Sequence, residues 1–134
     1  MIHVLGIDHI VLRVQDAARM TKFYCEVLGC TVERARQDIG LIQLRAGQSM
    51  IDLVPIDGEL GRKGGGAPGA QGRNLDHFCV RVEPWDPFAV IAHLIKNGVV
   101  PGETKQRFGA DGLGPSIYIN DPEGNVVELK GPSA

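Results

Sequence analysis

The sequence predicts an α+β fold in which one β-α-β-β-β unit is used twice. Three observations predict it. Residues 7–14 read Ile-Asp-His-Ile-Val-Leu-Arg-Val and residues 75–82 read Leu-Asp-His-Phe-Cys-Val-Arg-Val, identical at four of eight positions and apolar in both copies at the other four. Each copy is followed by an amphipathic stretch that a glycine ends, Gly29 after the first and Gly98 after the second. Each half then closes on a matching strand, Met50-Ile51-Asp52-Leu53 and Val126-Val127-Glu128-Leu129.

The elements follow in order. Residues 7–14 form the first strand. From Ala17 to Leu28, Met20, Phe23, Tyr24, Val27 and Leu28 fall on one helical stripe. Asp16 suits the N-cap and Gly29 the position just past the end. Strands follow at 31–36, 40–46 and 48–54, parted by Asp38-Ile39-Gly40 and Ala46-Gly47. The second helix opens on Asp86-Pro87, a cap followed by a first-turn proline. Phe88, Ile91, Leu94 and Ile95 supply its stripe. Strands are expected at 99–105, 115–120 and 125–130, the last two flanking the turn Asp121-Pro122-Glu123-Gly124.

The chain is thus read as one domain, 1–134, with internal modules 5–56 and 75–131. Residues 57–74 hold seven glycines and read as a mobile linker. Residues 106–114 read as a second glycine-rich loop, either a plain surface connection or part of a pocket wall.

Composition removes several function classes. At 134 residues the chain can bury roughly 70% of its unfolded surface and needs no disulfide staple. Hydrophobic residues make up 43% and charged residues 22%, which excludes low-complexity disorder. No apolar run reaches the ~20 residues of a membrane helix, and the N-terminus lacks a signal-peptide pattern. A formal charge of −2 and a pI near 6.0 give no basic surface for nucleic acid or anionic membrane. Cys25, Cys30 and Cys79 match no zinc or redox spacing, and reduced thiols in a cytoplasm are the expectation.

Four polar residues stand out. His9 and His77 occupy one position of the two repeat copies, inside apolar runs. Alternation places His9 with Val11 and Arg13, and His77 with Cys79 and Arg81. Asp52 and Glu128 lie midway along the two closing strands. A carboxylate inside a β-run is costly unless paired or bound to a cation. These groups are either structural, satisfied by backbone or by one another, or a ligand set for a divalent first-row metal with open positions, should the two sheets face each other. His3 and His93 read as solvated.

Tyr118 lies ten residues ahead of Glu128, on the face of Ser116 and Asn120 and opposite Ile117 and Ile119. Its hydroxyl could bind substrate or transfer a proton if that face includes Glu128. The alternative is an ordinary strand tyrosine. No serine sits in a nucleophile elbow, Gly64-Gly65-Gly66 lacks the Lys-Ser/Thr of a phosphate loop, and Cys79 reads as a core thiol.

At these residues the chain resembles the vicinal oxygen chelate superfamily, which includes glyoxalase I, fosfomycin- and bleomycin-resistance proteins and extradiol dioxygenases. The motifs are Asp8-His9-Ile10-Val11-Leu12, Phe23-Tyr24 with Val27-Leu28-Gly29, Leu75-Asp76-His77, and Asp121-Pro122-Glu123-Gly124-Asn125 leading into Val127-Glu128-Leu129. The resemblance spans residues 5–131. It implies a curved, open mixed β-sheet around a cavity, with the helices outside. It implies a metal held by His9, His77 and Glu128, with Asp52 where glyoxalase I carries a fourth, glutamate ligand. It also implies a homodimer.

The activity expected from this resemblance is that of a metal-dependent glyoxalase I-type (lactoylglutathione lyase-like) enzyme. It would act on a small oxygenated substrate, possibly a thiol adduct, with Glu128 or Asp52 moving a proton between adjacent carbons. The metal would be Ni, Co, Mn, Zn or Fe(II). Three rivals are weighed. A ring-cleaving Fe(II) dioxygenase would need only His9, His77 and Glu128, but its well-known members are longer. Thiol transfer to fosfomycin is disfavoured by Val11, where that family carries threonine, though Tyr118 matches its substrate tyrosine. A non-catalytic drug-binding protein would generally lack the metal ligands.

Overall fold

Every second residue along three strands of the first half is apolar, and those residues meet one helix. The computed structural model describes Met1–Ala134 and divides into two units, Met1–Gly69 and Ala70–Ala134. The first unit runs β1 (His9–Val14), α1 (Ala17–Glu26), β2 (Thr31–Arg36), β3 (Leu41–Ala46) and β4 (Ser49–Pro55). Its sheet has the order β1-β4-β3-β2, with β1 parallel to β4 and the other pairs antiparallel. Leu12, Leu44, Ile51 and Leu53 are buried on one face, together with Met20, Phe23 and Tyr24 of α1. The Asp16 carboxylate caps α1 by accepting from the Arg19 N–H at 3.0 Å.

The second unit runs β5 (Phe78–Arg81), α2 (Pro87–Lys96), β6 (Lys105–Gly109), β7 (Gly112–Asn120) and β8 (Val126–Lys130). Its order is β5-β8-β7-β6, with β5 parallel to β8. Each half is therefore the expected β-α-β-β-β unit, with an open mixed sheet and one helix. Here the buried apolar set is Ile117, Ile119, Val127 and Leu129 of the sheet with Leu94 of α2. The expected stripe of α2 is only partly used, since Phe88 is 84% and Ile95 62% exposed.

Three details differ from the sequence reading. The strand expected at 99–105 begins instead at Lys105, since Pro101 has no N–H for a ladder and the Gly102 N–H makes a single hydrogen bond to the Tyr118 carbonyl ahead of the β6–β7 register. The glycine-rich stretch 106–114 is not a loop but the β6–β7 hairpin, in which Gly109 pairs with Gly112 around Ala110-Asp111. Residues 57–74 contain a short 3-10 helix, Gly61–Gly64. The Arg13 guanidinium holds that segment by donating to the carbonyls of Gly61 (2.9 Å), Gly65 (2.6 Å) and Gly66 (3.0 Å). No helix is long and apolar enough to cross a membrane.

Candidate metal centre

The face of each sheet away from its helix carries the polar residues. In the first unit Val11, Asp52 and Gln43 lie side by side across β1, β4 and β3. Asp52 is buried, 4% exposed. Gln43 donates its side-chain N–H to Asp52 Oδ2 at 3.2 Å, while Asp52 Oδ1 is buried with no hydrogen-bond partner. His9 opens β1 on the same face. Its Nδ1 lies 2.7 Å from Asp8 Oδ1. That bond is the main reason the His9 imidazole is more basic than usual, with Asp52 adding to it and desolvation opposing it.

The second unit repeats the arrangement. Cys79, Glu128 and Tyr118 form the row across β5, β8 and β7. Glu128 is buried, 6% exposed, and its Oε1 lies 3.3 Å from His77 Nε2. His77 Nδ1 lies 2.7 Å from Asp76 Oδ2. The Tyr118 ring meets the His77 ring edge to face at 5.2 Å, and the Arg107 guanidinium stacks 4.3 Å above the Tyr118 ring. Arg107 is held by Nη1, which donates to the Ser116 carbonyl and hydroxyl at 2.7 and 2.8 Å. Desolvation, then the nearby Glu128 charge, push the Tyr118 phenol up, so it stays a proton donor at neutral pH.

The structure brings together His77, Glu128 and Tyr118 in one unit and His9 with Asp52 in the other. It also corrects two readings. Neither histidine is buried mid-strand. β4 starts at Ser49 and β8 at Val126, so the β1 ladder begins at the His9–Met50 pair and the β5 ladder at the Phe78–Val127 pair. The histidines therefore stand at strand mouths, with side chains 47% and 33% exposed. The burial cost argued from sequence falls on Asp52 and Glu128 alone. Cys79 is not a core thiol either. It is exposed, on the Glu128 face, with its thiol pushed up to about 11 by desolvation and then by Glu128. His3 and His93 are exposed.

Sequence reasoning missed Gln43, Arg107 and the roles of Asp8 and Asp76. Gln43 was findable, because it pairs with Asp52 as Tyr118 pairs with Glu128. Asp8 and Asp76 lie inside the repeated motif itself. Arg107 had no such signal, because it lay in a stretch read as a loop.

The residues present suit a divalent metal. Asp8 and Asp76 occupy the Nδ1 atoms, so Nε2 is the atom of each ring that could ligate a metal. A buried carboxylate oxygen without a partner, Asp52 Oδ1, calls for a cation or a donor. No group of three or more His, Cys, Asp and Glu side chains gathers as a ligand cage. Each unit supplies one histidine and one carboxylate.

Comparison with known proteins agrees with this architecture. The family model described as Glyoxalase/Bleomycin resistance protein/Dioxygenase superfamily matches residues 6–129. Virulence protein STM3117 of Salmonella typhimurium is 32% identical over 130 residues, covering 92% of this chain and 81% of that protein. Its crystal structure superposes with a TM-score of 0.78 over 98% of this chain and 100% of that one. An integron cassette protein of V. cholerae, VCH_CASS1, is 29% identical with a TM-score of 0.78, covering 99% of each chain. The fosfomycin resistance protein FosX of Listeria monocytogenes shares the fold at 18% identity, with a TM-score of 0.71 over 96% of this chain and 91% of that one. A match over nearly its whole length, on the repeat that carries both histidine–carboxylate pairs, makes this chain a member of the Glyoxalase/Bleomycin resistance protein/Dioxygenase superfamily.

Proposed function

We propose that this chain is a metal-dependent, glyoxalase I-type enzyme that shifts a proton between adjacent carbons of a small oxygenated substrate. The observation that carries the reading is the repeated pair: in each unit a histidine with its Nδ1 occupied by the preceding aspartate, and a buried carboxylate on the same sheet face. His9, His77 and Glu128 would hold the metal, with Asp52 as a fourth ligand, direct or through water. The ion would be Ni, Co, Mn, Zn or Fe(II), since affinity order alone selects none of them. When bound, it supplies Lewis acidity to two neighbouring substrate oxygens and so favours enediolate-like charge.

The protein's own groups do the rest. Glu128 or Asp52, as carboxylate, accepts the proton from one carbon and returns it to the next, so no co-reactant is consumed. The Tyr118 hydroxyl, kept protonated by its surroundings, donates a hydrogen bond to a substrate oxygen. The substrate can be a thiol adduct of a dicarbonyl. The two units would act together in a homodimer, in the cytoplasm, where the three free cysteines remain reduced.

The test is metal content of the purified protein, followed by hemithioacetal isomerisation with Ni, Co, Mn, Zn and Fe(II) in turn. His77→Ala is expected to lose the metal and keep the fold. Full metal occupancy in that variant would sink the assignment.

A further inference from the structure

The second unit holds a cavity of about 350 Å³ whose lining includes Arg81, Glu83, Asp111, Lys130 and Ser133. It opens on the same sheet face as Glu128, because Lys130 follows Glu128 by two residues on β8. Lys130 is 7% exposed as a residue, and its ammonium, which keeps surface open to the cavity, makes no hydrogen bond and no ion pair. The lysine stem is packed while its charged end faces the cavity without a protein partner, which leaves it open to a ligand group. Ser133 Oγ, on the same cavity, is also buried without a partner.

The surrounding chain is built to accommodate the lysine. Two glycines clear its path. A Cβ at Gly114 would lie 2.6 Å from Lys130 Nζ, and one at Gly109 would lie 2.9 Å from its Cε. Neither side-chain acid that lines the cavity pairs with it. Asp111 is spent on Arg81, with Oδ2 3.0 Å from Nε, and the exposed Glu83 forms no ion pair with it. The first unit lacks the feature. Lys130 pairs with Arg81 across the strands as Val54 pairs with Arg13, so a buried valine there stands where the lysine stands here.

We propose that this cavity is an anion subsite: a carboxylate or phosphate-type group binds Lys130 Nζ, with Ser133 Oγ as a second donor and Arg81 at the rim. It lies about 7 Å along β8 from Glu128, two residues of strand rise. Calling the anion part of the substrate rests on the function proposed above, and it makes that substrate an acid as well as a pair of chelating oxygens. The anion site itself rests on this cavity alone.

The experiment is calorimetric titration of the full-length, metal-free protein with inorganic phosphate and, separately, with propionate. The wild type is expected to bind at least one of them saturably, one per chain. Tighter phosphate binding assigns a phosphate- or phosphonate-type group; tighter propionate binding assigns a carboxylate. Lys130→Met is expected to bind the preferred anion about tenfold more weakly or worse, as loss of one charge-assisted hydrogen bond implies. Equal affinity in Lys130→Met and wild type, or no saturable binding of either probe to wild type, overturns the proposal. Should Lys130→Met fail to fold, side-chain NMR of isotope-labelled lysine in the wild type decides. The Lys130 resonance must shift saturably with the anion, and a static resonance refutes the site. The readout involves neither metal nor turnover, so its failure leaves the metal-site reading standing, and the reverse also holds.

Discussion

At the scale of single residues, the question is what a buried carboxylate does with two oxygens. Asp52 gives one to Gln43 and keeps one without a partner. Its arm is shorter than that of glutamate by about 1.5 Å. Asp52→Asn keeps the shape and removes the charge, and about a tenfold fall in metal affinity or turnover is expected, read by metal titration and initial rates. If the Asp52→Asn variant binds metal and turns over like the parent, only three ligands are left, and the dioxygenase reading then leads. Gln43→Leu tests the same carboxylate from its other side. Loss of the donor leaves both Asp52 oxygens bare, so the metal-free protein should lose on the order of 1 kcal/mol in urea unfolding. Added metal should recover part of that loss.

At the scale of elements, order in residues 61–66 depends on Arg13, which reaches from β1 to three carbonyls. Arg13→Met should leave both sheets intact and raise hydrogen exchange and protease cleavage across 61–66. Unchanged protection there would show that another contact holds the segment. The link from α1 to β2 carries a pH dependence. Burial pushes the Cys30 thiol up to about 11, from the 9.0 of a free thiol. Its folded pKa is thus raised, so the contribution to stability is complete below pH 9.0 and is lost as pH climbs toward about 11. Urea midpoints of the wild type should fall across that window, and Cys30→Ala should flatten the fall.

At the scale of the whole molecule, large apolar side chains stand uncovered. They include Phe88 (84% exposed), Ile95 (62%) and Val100 (85%), with Ile2, Val4, Leu5 and Ile7 ahead of β1. Exposed apolar side chains of this size can be covered by a partner chain. A homodimer is the expected state, measured by light scattering across a dilution series. Phe88→Glu should shift it toward monomer if α2 takes part. A strict monomer with full metal occupancy would show that one chain completes the site alone.

The sequence by itself determined the repeat, and through it the two β-α-β-β-β units, the caps at Asp16 and Asp86, and the equivalent positions of His9 and His77 and of Asp52 and Glu128 in the two copies. These are periodic or short-range properties, and period and capping chemistry act within a few residues. Only the tertiary structure decided where each ladder begins, which put the histidines at strand mouths instead of inside them. It also decided that Arg13 ties down a glycine-rich segment some fifty residues away, that 106–114 is a hairpin, and that Lys130 is buried between two glycines. Each of these depends on which backbone group lies opposite another across strands distant in sequence. That register is set by the packed apolar face and the turns, and composition and local pattern do not encode it.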